Sequence, residues 1–422
     1  MSFMRRINNI GFFVWLVCVT FFLYEYFLRT VVGTFQIPIA NILQLDVLKF
    51  ALISSTAYSL IFGFTQIPIG VFLDKYGLKP VLLLGILTCA LGSVCFAISN
   101  SFESAVASRV LMGFGSAFGY LCVLNAIYEW LPRSHTGFYI GISQGIGTLG
   151  PILAAGPMAS ASIMYAASWR EVFLLLALLG VAIALMANSL LNQKKLQQKP
   201  KISTPDKVSR QPIKSILKSA LTRRNAWMIG LFCGCNYFTI EYMAQNNGMN
   251  FLMLKGFSES TAAYIISLGW IGFAIGCPII GWLSDTLGSR KNVLLAASLL
   301  CLSSAIIFIY SNTLLLVAIS FIAIGFCCGA QTLGYAAAAE SVSEKERAVA
   351  LGVVNASVAM VMAATAPLIG WVLRHYEKLG PLRLQDYQHA FWVIIGLMTA
   401  SVAIVIMEVK NETATEEALI PA

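Results

Sequence analysis

Two stretches of the chain share one pattern and together decide its architecture. Residues 70–79 read Gly-Val-Phe-Leu-Asp-Lys-Tyr-Gly-Leu-Lys, and residues 281–291 read Gly-Trp-Leu-Ser-Asp-Thr-Leu-Gly-Ser-Arg-Lys. Glycine, aspartate and glycine recur at an offset of 211 residues, half of the 422-residue chain. The same or a similar offset relates Glu129 to Glu340, Gly141 to Gly352 and Glu25 to Glu241. Several coincidences at nearly one offset predict two homologous halves.

The composition predicts that both halves lie in a membrane. The sequence is 58% hydrophobic and 11% charged, whereas soluble domains are roughly 25% charged. Such values argue against a cytosolic enzyme, a secreted disulfide scaffold and a disordered protein. Because about 20 apolar residues cross a bilayer as a helix, we predict an all-α membrane protein with twelve transmembrane helices in two pseudo-symmetric six-helix bundles. The predicted spans are 10–34, 50–72, 80–99, 103–128, 137–160, 172–191, 225–253, 260–283, 292–311, 313–338, 347–373 and 388–408.

The net charge of +9 lies in one segment between the predicted bundles, 1–191 and 225–408. The linker 192–224 holds ten Lys and Arg against one acid, and the rest of the chain is neutral. This segment is expected to anchor the topology on an anionic leaflet, or else to form a regulatory lipid or protein site. Nucleic acid is not an expected partner.

The distribution of Lys and Arg predicts the orientation. With the N-terminus inside, 20 bases fall in inside segments and 6 in outside segments. The positive-inside rule therefore places both termini, the linker and the tail 409–422 in the cytoplasm. We expect a multi-pass monomer in the plasma (bacterial inner) membrane, with the lipid bilayer as its surroundings and an uncleaved first helix.

Metal, cofactor and ATP sites are not indicated. All ten cysteines fall in apolar spans without a CxxC pair, so they are expected to be packing residues. The three histidines lie in or near loops, and no phosphate-binding Gly-x4-Gly-Lys-[Ser/Thr] loop is present in the sequence. An enzyme is therefore not predicted.

The motifs resemble those of the major facilitator superfamily of secondary transporters. Residues 70–79 fit the pattern G-x3-D-[RK]-x-G-x-[RK], whereas the second copy has Thr286 at the first basic position. Arg109 is followed by Gly113 and Gly115, and a glycine row in the fifth span ends in Gly150-Pro151. The resemblance implies alternating access, in which two halves rock about a site near the bilayer midplane. The row lacks the glycine pair that usually completes the antiporter version of this element.

The loop motif predicts a gate at the cytoplasmic end. Gly70 would permit close helix approach, and Asp74 could cap a neighbouring helix N-terminus. Two charge clusters would hold the outward-open state and separate on opening inward; the alternative is turn formation with positive-inside anchoring. The predicted gating residues are Gly70, Asp74, Lys75, Gly77, Lys79, Glu129, Arg133, Asp285, Arg290, Glu340 and Arg347.

Four charged residues lie well inside predicted spans, away from the span ends, where each costs at least ~2.5 kcal/mol and so indicates function. They are Glu25, Arg29, Arg109 and Glu241. At 1.5 Å per residue, Glu25 and Arg109 lie at similar depths, which predicts that they pair. Arg29 follows Glu25 by four residues on the same helix face, so a local pair is the competing arrangement. Glu241 lies at a matching height across the pseudo-twofold axis.

The resemblance also implies that the first, fourth, seventh and tenth helices line a central cavity. The candidate substrate-binding and proton-coupling residues are Tyr24, Glu25, Arg29, Arg109, Tyr120, Asn125, Tyr237, Glu241, Gln245, Gln331 and Tyr335. Ordinary packing is the alternative for Tyr24, Tyr120 and Tyr335, and a buried structural pair is the alternative for the two glutamates. Asn246-Asn247-Gly248 predicts a break near the outer end of the seventh helix.

These residues predict a proton-coupled importer of a small polar organic solute. Glu25 and Glu241 would carry the proton, and two arginines suit a carboxylate or zwitterion such as an amino acid, peptide or organic acid. The alternative is a proton/substrate antiporter that exports drugs or metabolites.

Overall fold

A computed structural model describes residues 9–132, 136–191, 224–340 and 347–408. The predicted tail, all of the predicted linker but Arg224, and Arg133 lie outside the described residues. Apart from one π-helical turn, Leu52–Thr56, the regular elements in these ranges are α-helices. They are α1 (Asn9–Thr34), α2 (Gln36–Ile42), α3 (Val47–Ala51), α4 (Ala57–Tyr76), α5 (Leu78–Ala97), α6 (Phe102–Ser116), α7 (Gly119–Trp130), α8 (Thr136–Ala154), α9 (Gly156–Met164), α10 (Trp169–Leu190), α11 (Arg224–Gln245), α12 (Gly248–Leu254), α13 (Glu259–Leu287), α14 (Arg290–Tyr310), α15 (Leu314–Cys328), α16 (Gln331–Glu340), α17 (Arg347–Glu377), α18 (Leu384–Ala390) and α19 (Trp392–Glu408).

Eleven segments of the described ranges are long and apolar enough to cross a bilayer. The predicted seventh span, 225–253, is not among them. It is divided into α11 and α12, as the Asn246-Asn247-Gly248 sequence predicts, and α11 buries four polar residues. They are Asn236, Thr239, Glu241 and Gln245. The chain is thus an integral, multi-pass, all-helical membrane protein.

Both copies of the repeated motif end their helix at a glycine with a positive φ angle. Gly77 ends α4 with φ +78°, and Gly288 ends α13 with φ +60°. An L-side chain rarely adopts such values, which explains why glycine stands at both positions. The two halves therefore share the requirement for glycine at this position, although the ψ angle differs, 171° at Gly77 and 18° at Gly288.

The buried apolar side chains form two main cores. One lies within residues 14–187 except for Ala359, and the other lies mostly within residues 229–405. Between them, α1 packs on α11, α8 and α9 pack on α13, and α3 and α4 pack on α17. These three pairings form the interface between the two halves.

Contacts between the halves concentrate at one end of the bundle, called here the closed end. Gln36 Nε2 donates to Asn247 Oδ1 over 2.6 Å, and Arg374 Nε lies 2.9 Å from Asp46 Oδ2. At Gly33 a Cβ atom would collide with the carbonyl of Ala244, so α1 and α11 touch backbone to backbone there. The closed end is the predicted outer end of the helices.

Candidate functional site

A cavity of about 370 Å³ lies between the halves. It extends from the closed end towards the start of α8. Its lining includes Gly141 and Gly145 on α8, and at both positions a Cβ atom would meet open space. The other glycines of this row, Gly147 and Gly150, pack against α1 instead. The row therefore serves the cavity at one end and helix packing at the other.

An ion pair across the two halves lies where the cavity meets the closed end. Arg29 of α1 pairs with Glu241 of α11, and their side chains are 8% and 1% exposed. Gln245, one turn further along α11, donates to Glu241 Oε1 over 2.7 Å. Arg29 Nε and Glu241 Oε2 have no hydrogen-bond partner among the described residues. The pair is thus buried and leaves one polar atom of each residue without a hydrogen bond in the described structure.

Glu25 lines the cavity one helical turn from Arg29. Its Oε2 accepts a hydrogen bond from the Tyr58 hydroxyl over 3.3 Å. Its side chain packs against Gly119, where an added Cβ atom would lie 3.0 Å from Glu25 Cγ. In the described part of the chain, no cation forms an ion pair with it. Glu25, Arg29 and Glu241 together leave one negative charge to be compensated.

The predicted pair between Glu25 and Arg109 is wrong. Arg109 is fully buried in the N-terminal half, where its guanidinium donates to backbone carbonyls. The alternative, a local pair of Glu25 with Arg29, also fails, because the partner of Arg29 is Glu241. Depth along a helix fixes the height of a side chain, but its rotation about the axis decides which neighbour it meets.

Six of the eleven predicted lining residues border the cavity: Glu25, Arg29, Tyr120, Tyr237, Gln331 and Tyr335. Glu241 is joined to this set through Arg29. Glu241 itself and four further residues do not border the cavity. Tyr24 donates to Leu176 O inside the N-terminal core, Asn125 donates to Glu129, Gln245 lies at the closed end, and Arg109 is enclosed by carbonyls. For Tyr24, ordinary packing is the observed arrangement.

Several lining residues were not predicted from the sequence. Polar ones are Gln144 and Thr148 on α8, and Asn355 on α17, whose Nδ2 donates to Gln66 Oε1 over 3.1 Å. The signal for α8 was present, because Gln144 stands among the glycines of an apolar span. The aromatic members Phe22, Tyr26, Phe62 and Phe273 gave no such signal, since their spacing also suits packing.

The predicted gating clusters are only partly described. The side chains of Asp74, Lys75, Glu340 and Arg347 lie outside the described residues, as does all of Arg133. Asp285 is exposed, Glu129 Oε1 accepts from Asn125 over 3.2 Å, and Lys79 and Arg290 are both in contact with other groups. The gate remains a prediction.

The family model described as Major Facilitator Superfamily matches residues 17–254 and 236–421. The chain belongs to the Major Facilitator Superfamily. This is a family of membrane transporters rather than enzymes, and its two-bundle architecture agrees with the repeat in the sequence.

Curated members of the superfamily resemble parts of the chain. A probable L-galactonate transporter of Escherichia coli K12 is 28% identical over 31% of this chain and 28% of its own length. The multidrug transporter MdfA of Yersinia pestis (strain Angola) is 30% identical over 30% of this chain and 31% of its own. A hexuronate transporter of Bacillus subtilis 168 is 24% identical over 57% of this chain and 58% of its own. The matches therefore span less than two thirds of these relatives.

Solved structures of the superfamily match nearly the whole chain. A bacterial homolog of the human lysosomal transporter Spinster, in an inward-facing and unoccupied conformation, gives a TM-score of 0.69 at 17% identity. The alignment covers 95% of this chain and 96% of that one. At this identity the likeness shows the fold.

Proposed function

We propose that this protein is a proton-coupled secondary transporter that imports a small polar organic solute by alternating access. The observation that carries the proposal is Glu25, a buried carboxylate at the cavity without an ion-pair partner among the described residues, beside the Arg29–Glu241 pair. A buried charge that is not compensated is costly, so Glu25 must take up a proton or meet a cationic group. Either event would change the charge of the cavity.

The geometry favours a zwitterion over a simple carboxylate. Arg109 is not in the cavity, and Arg29 already pairs with Glu241. Arg29, which lines the cavity, could donate to a carboxylate, while protonated Glu25 could still accept from an ammonium group through its carbonyl oxygen. An amino acid or short peptide carries both groups. Sugar-acid transport by two relatives is compatible with the carboxylate half of this arrangement.

Alternating access is supported by the uneven closure of the bundle. The halves meet at the closed end, and the cavity lies on the other side of it. With the orientation predicted from Lys and Arg, the cavity faces the cytoplasm. Transport then requires the closed end to open while the other end closes.

Export by proton exchange is the second candidate, and the aromatic lining favours it. Seven rings border the cavity: Phe22, Tyr26, Phe62, Tyr120, Tyr237, Phe273 and Tyr335. Aromatic faces attract organic cations, and such a cation would compete with a proton for Glu25. The likeness to MdfA, a multidrug transporter, is consistent with this candidate.

Transport in proteoliposomes separates the two candidates. An acidic outside should drive accumulation of an amino acid or dipeptide by a symporter, whereas an antiporter would accumulate an organic cation when the inside is acidic. Glu25→Gln should abolish accumulation but keep exchange of solute, and the exposed Glu259→Gln is the matched control. If Glu25→Gln still accumulates solute in response to the pH gradient, the proposal is wrong.

A further inference from the structure

Arg109 holds the backbone of two different helices at the closed end. Its Nη2 donates to Ser54 O over 2.8 Å and to Arg29 O over 3.4 Å. Its Nε donates to Ile53 O and its Nη1 to Leu28 O, both over 3.2 Å. The planar guanidinium offers donors in a fixed fork, so it fixes the position of α1 relative to the segment before α4.

The π-helical turn explains why carbonyls are available to Arg109. Ile53 and Ser54 lie within Leu52–Thr56, where the hydrogen bonds skip one residue further than in an α-helix. Such turns disturb the regular bonding ladder and are frequent at functional sites. The Tyr58 ring, whose centroid lies 4.6 Å from Arg109 Cζ, covers the guanidinium from one face.

Arg109 Nη2 donates to the carbonyls of Arg29 and Ser54, and the side chains of these two residues contact the C-terminal half. The side chain of Arg29 pairs with Glu241, and Ser54 Oγ donates to Asn246 Oδ1. Asn246 Nδ2 in turn donates to Ser55 Oγ, and Gln245 connects Ser55 to Glu241. Arg109 is therefore one residue removed from two contacts that belong to one hydrogen-bond network between the halves.

We propose that Arg109 is a positioning residue that stabilises the closed end by presenting Arg29 and Ser54 to the C-terminal half. It touches neither the cavity nor the C-terminal half in the described residues, and acts through the backbones it holds. The proposal rests on the alternating-access part of the proposed function. It requires neither a proton nor a particular solute, so it can fail while the transport proposal stands.

Distance measurements across the closed end test this without any substrate. Spin labels at Ile42 and Leu379, which are 54% and 76% exposed, report the separation of the halves in a cysteine-free background. Asn246→Ala removes one contact directly, and Arg109→Lys removes the fork that positions its partner. Each should add a longer-distance population, with a rise of about twofold to tenfold in the open-to-closed ratio, the size expected for the net loss of a hydrogen bond between uncharged groups.

The double variant decides whether Arg109 acts through this contact. In Arg109→Lys/Asn246→Ala the rise should be smaller than the product of the two single effects, because both changes remove the same interaction. Ser108→Ala removes a neighbouring buried hydrogen bond of α6 and should leave the distances unchanged. Unchanged distances in Arg109→Lys, or a fully multiplicative double effect, would overturn the proposal. If Arg109→Lys fails to fold, Arg109→Gln, which leaves no buried cation, takes its place under the same expectation.

Discussion

Arg29 on the first helix of one half and Glu241 on the first helix of the other half form a buried ion pair across the interface. The two residues belong to the repeat, in which Glu241 corresponds to Glu25 rather than to Arg29. The symmetry of the sequence is thus broken at the site: one glutamate has the arginine, and the other has only a tyrosine hydroxyl as a hydrogen-bond donor among the described side chains. This asymmetry is the basis for proposing that Glu25, rather than Glu241, carries the proton.

Removing one member of the Arg29–Glu241 pair should destabilise the protein more than removing both. Arg29→Gln strands a buried carboxylate, and breaking a buried pair costs about 3–5 kcal/mol in soluble proteins. The double variant Arg29→Gln/Glu241→Gln leaves neutral groups that can hydrogen-bond. Thermal unfolding in detergent should therefore show a smaller loss of Tm for the double variant than for either single variant. Additive losses would contradict an ion pair.

Gly33→Ala should separate α1 from α11 at the closed end. A Cβ atom at this position would collide with the backbone carbonyl of Ala244, which a side-chain rotation cannot relieve. We expect a lower Tm and faster hydrogen exchange in Gln36–Ile42, measured on the purified protein. Gly396→Ala is the matched control, because its Cβ would meet open space in α19 and helix propensity alone favours alanine by about 1 kcal/mol. Equal effects of the two variants would refute the close approach.

Asp46 has two separable roles at the closed end. Its Oδ1 accepts from Lys49 N over 2.7 Å and so caps α3, while Oδ2 pairs with Arg374 of the other half. Asp46→Asn keeps the cap and loses the partly exposed ion pair, which is worth up to about 1 kcal/mol and is screened by salt. Asp46→Ala loses both and should cost about 1 kcal/mol more. The Tm values at low and high salt check this. High salt should abolish the difference in Tm between wild type and Asp46→Asn, but not the further loss in Asp46→Ala.

Lys255→Met should destabilise the C-terminal half through one helix end. Lys255 Nζ donates to Phe308 O over 2.8 Å, to Ile309 O over 3.0 Å and to Ser311 O. The ammonium group thereby caps the last turn of α14. Methionine keeps the apolar stem but leaves these carbonyls without the donor, at a cost of about 1–3 kcal/mol. Exposed Lys378→Met, measured by the same thermal unfolding, should have almost no effect. A similar Tm for both variants would show that the cap contributes nothing.

Much of the architecture could be predicted from the sequence because it depends on local properties. Three features do not depend on tertiary contacts and can be recognised in the sequence. They are the apolar runs long enough to cross a bilayer, the two copies of the glycine and aspartate pattern, and Asn246-Asn247-Gly248 at a helix break. The cavity was predicted in part: Glu25, Arg29 and three tyrosines on the expected helices border it, whereas Asn355 of α17 was not singled out by any sequence pattern.

The sequence by itself determined the repeat, eleven of the helical membrane spans and four of the charged residues that leave water. Only the tertiary structure decided that Arg29 pairs with Glu241, that Arg109 binds carbonyls behind the cavity, and that Glu25 keeps its carboxylate unpaired among the described charges. The physical reason is geometric. The number of residues along a helix sets the height of a side chain, whereas the rotation of the helix and the identity of its neighbour follow from packing between segments far apart in the chain.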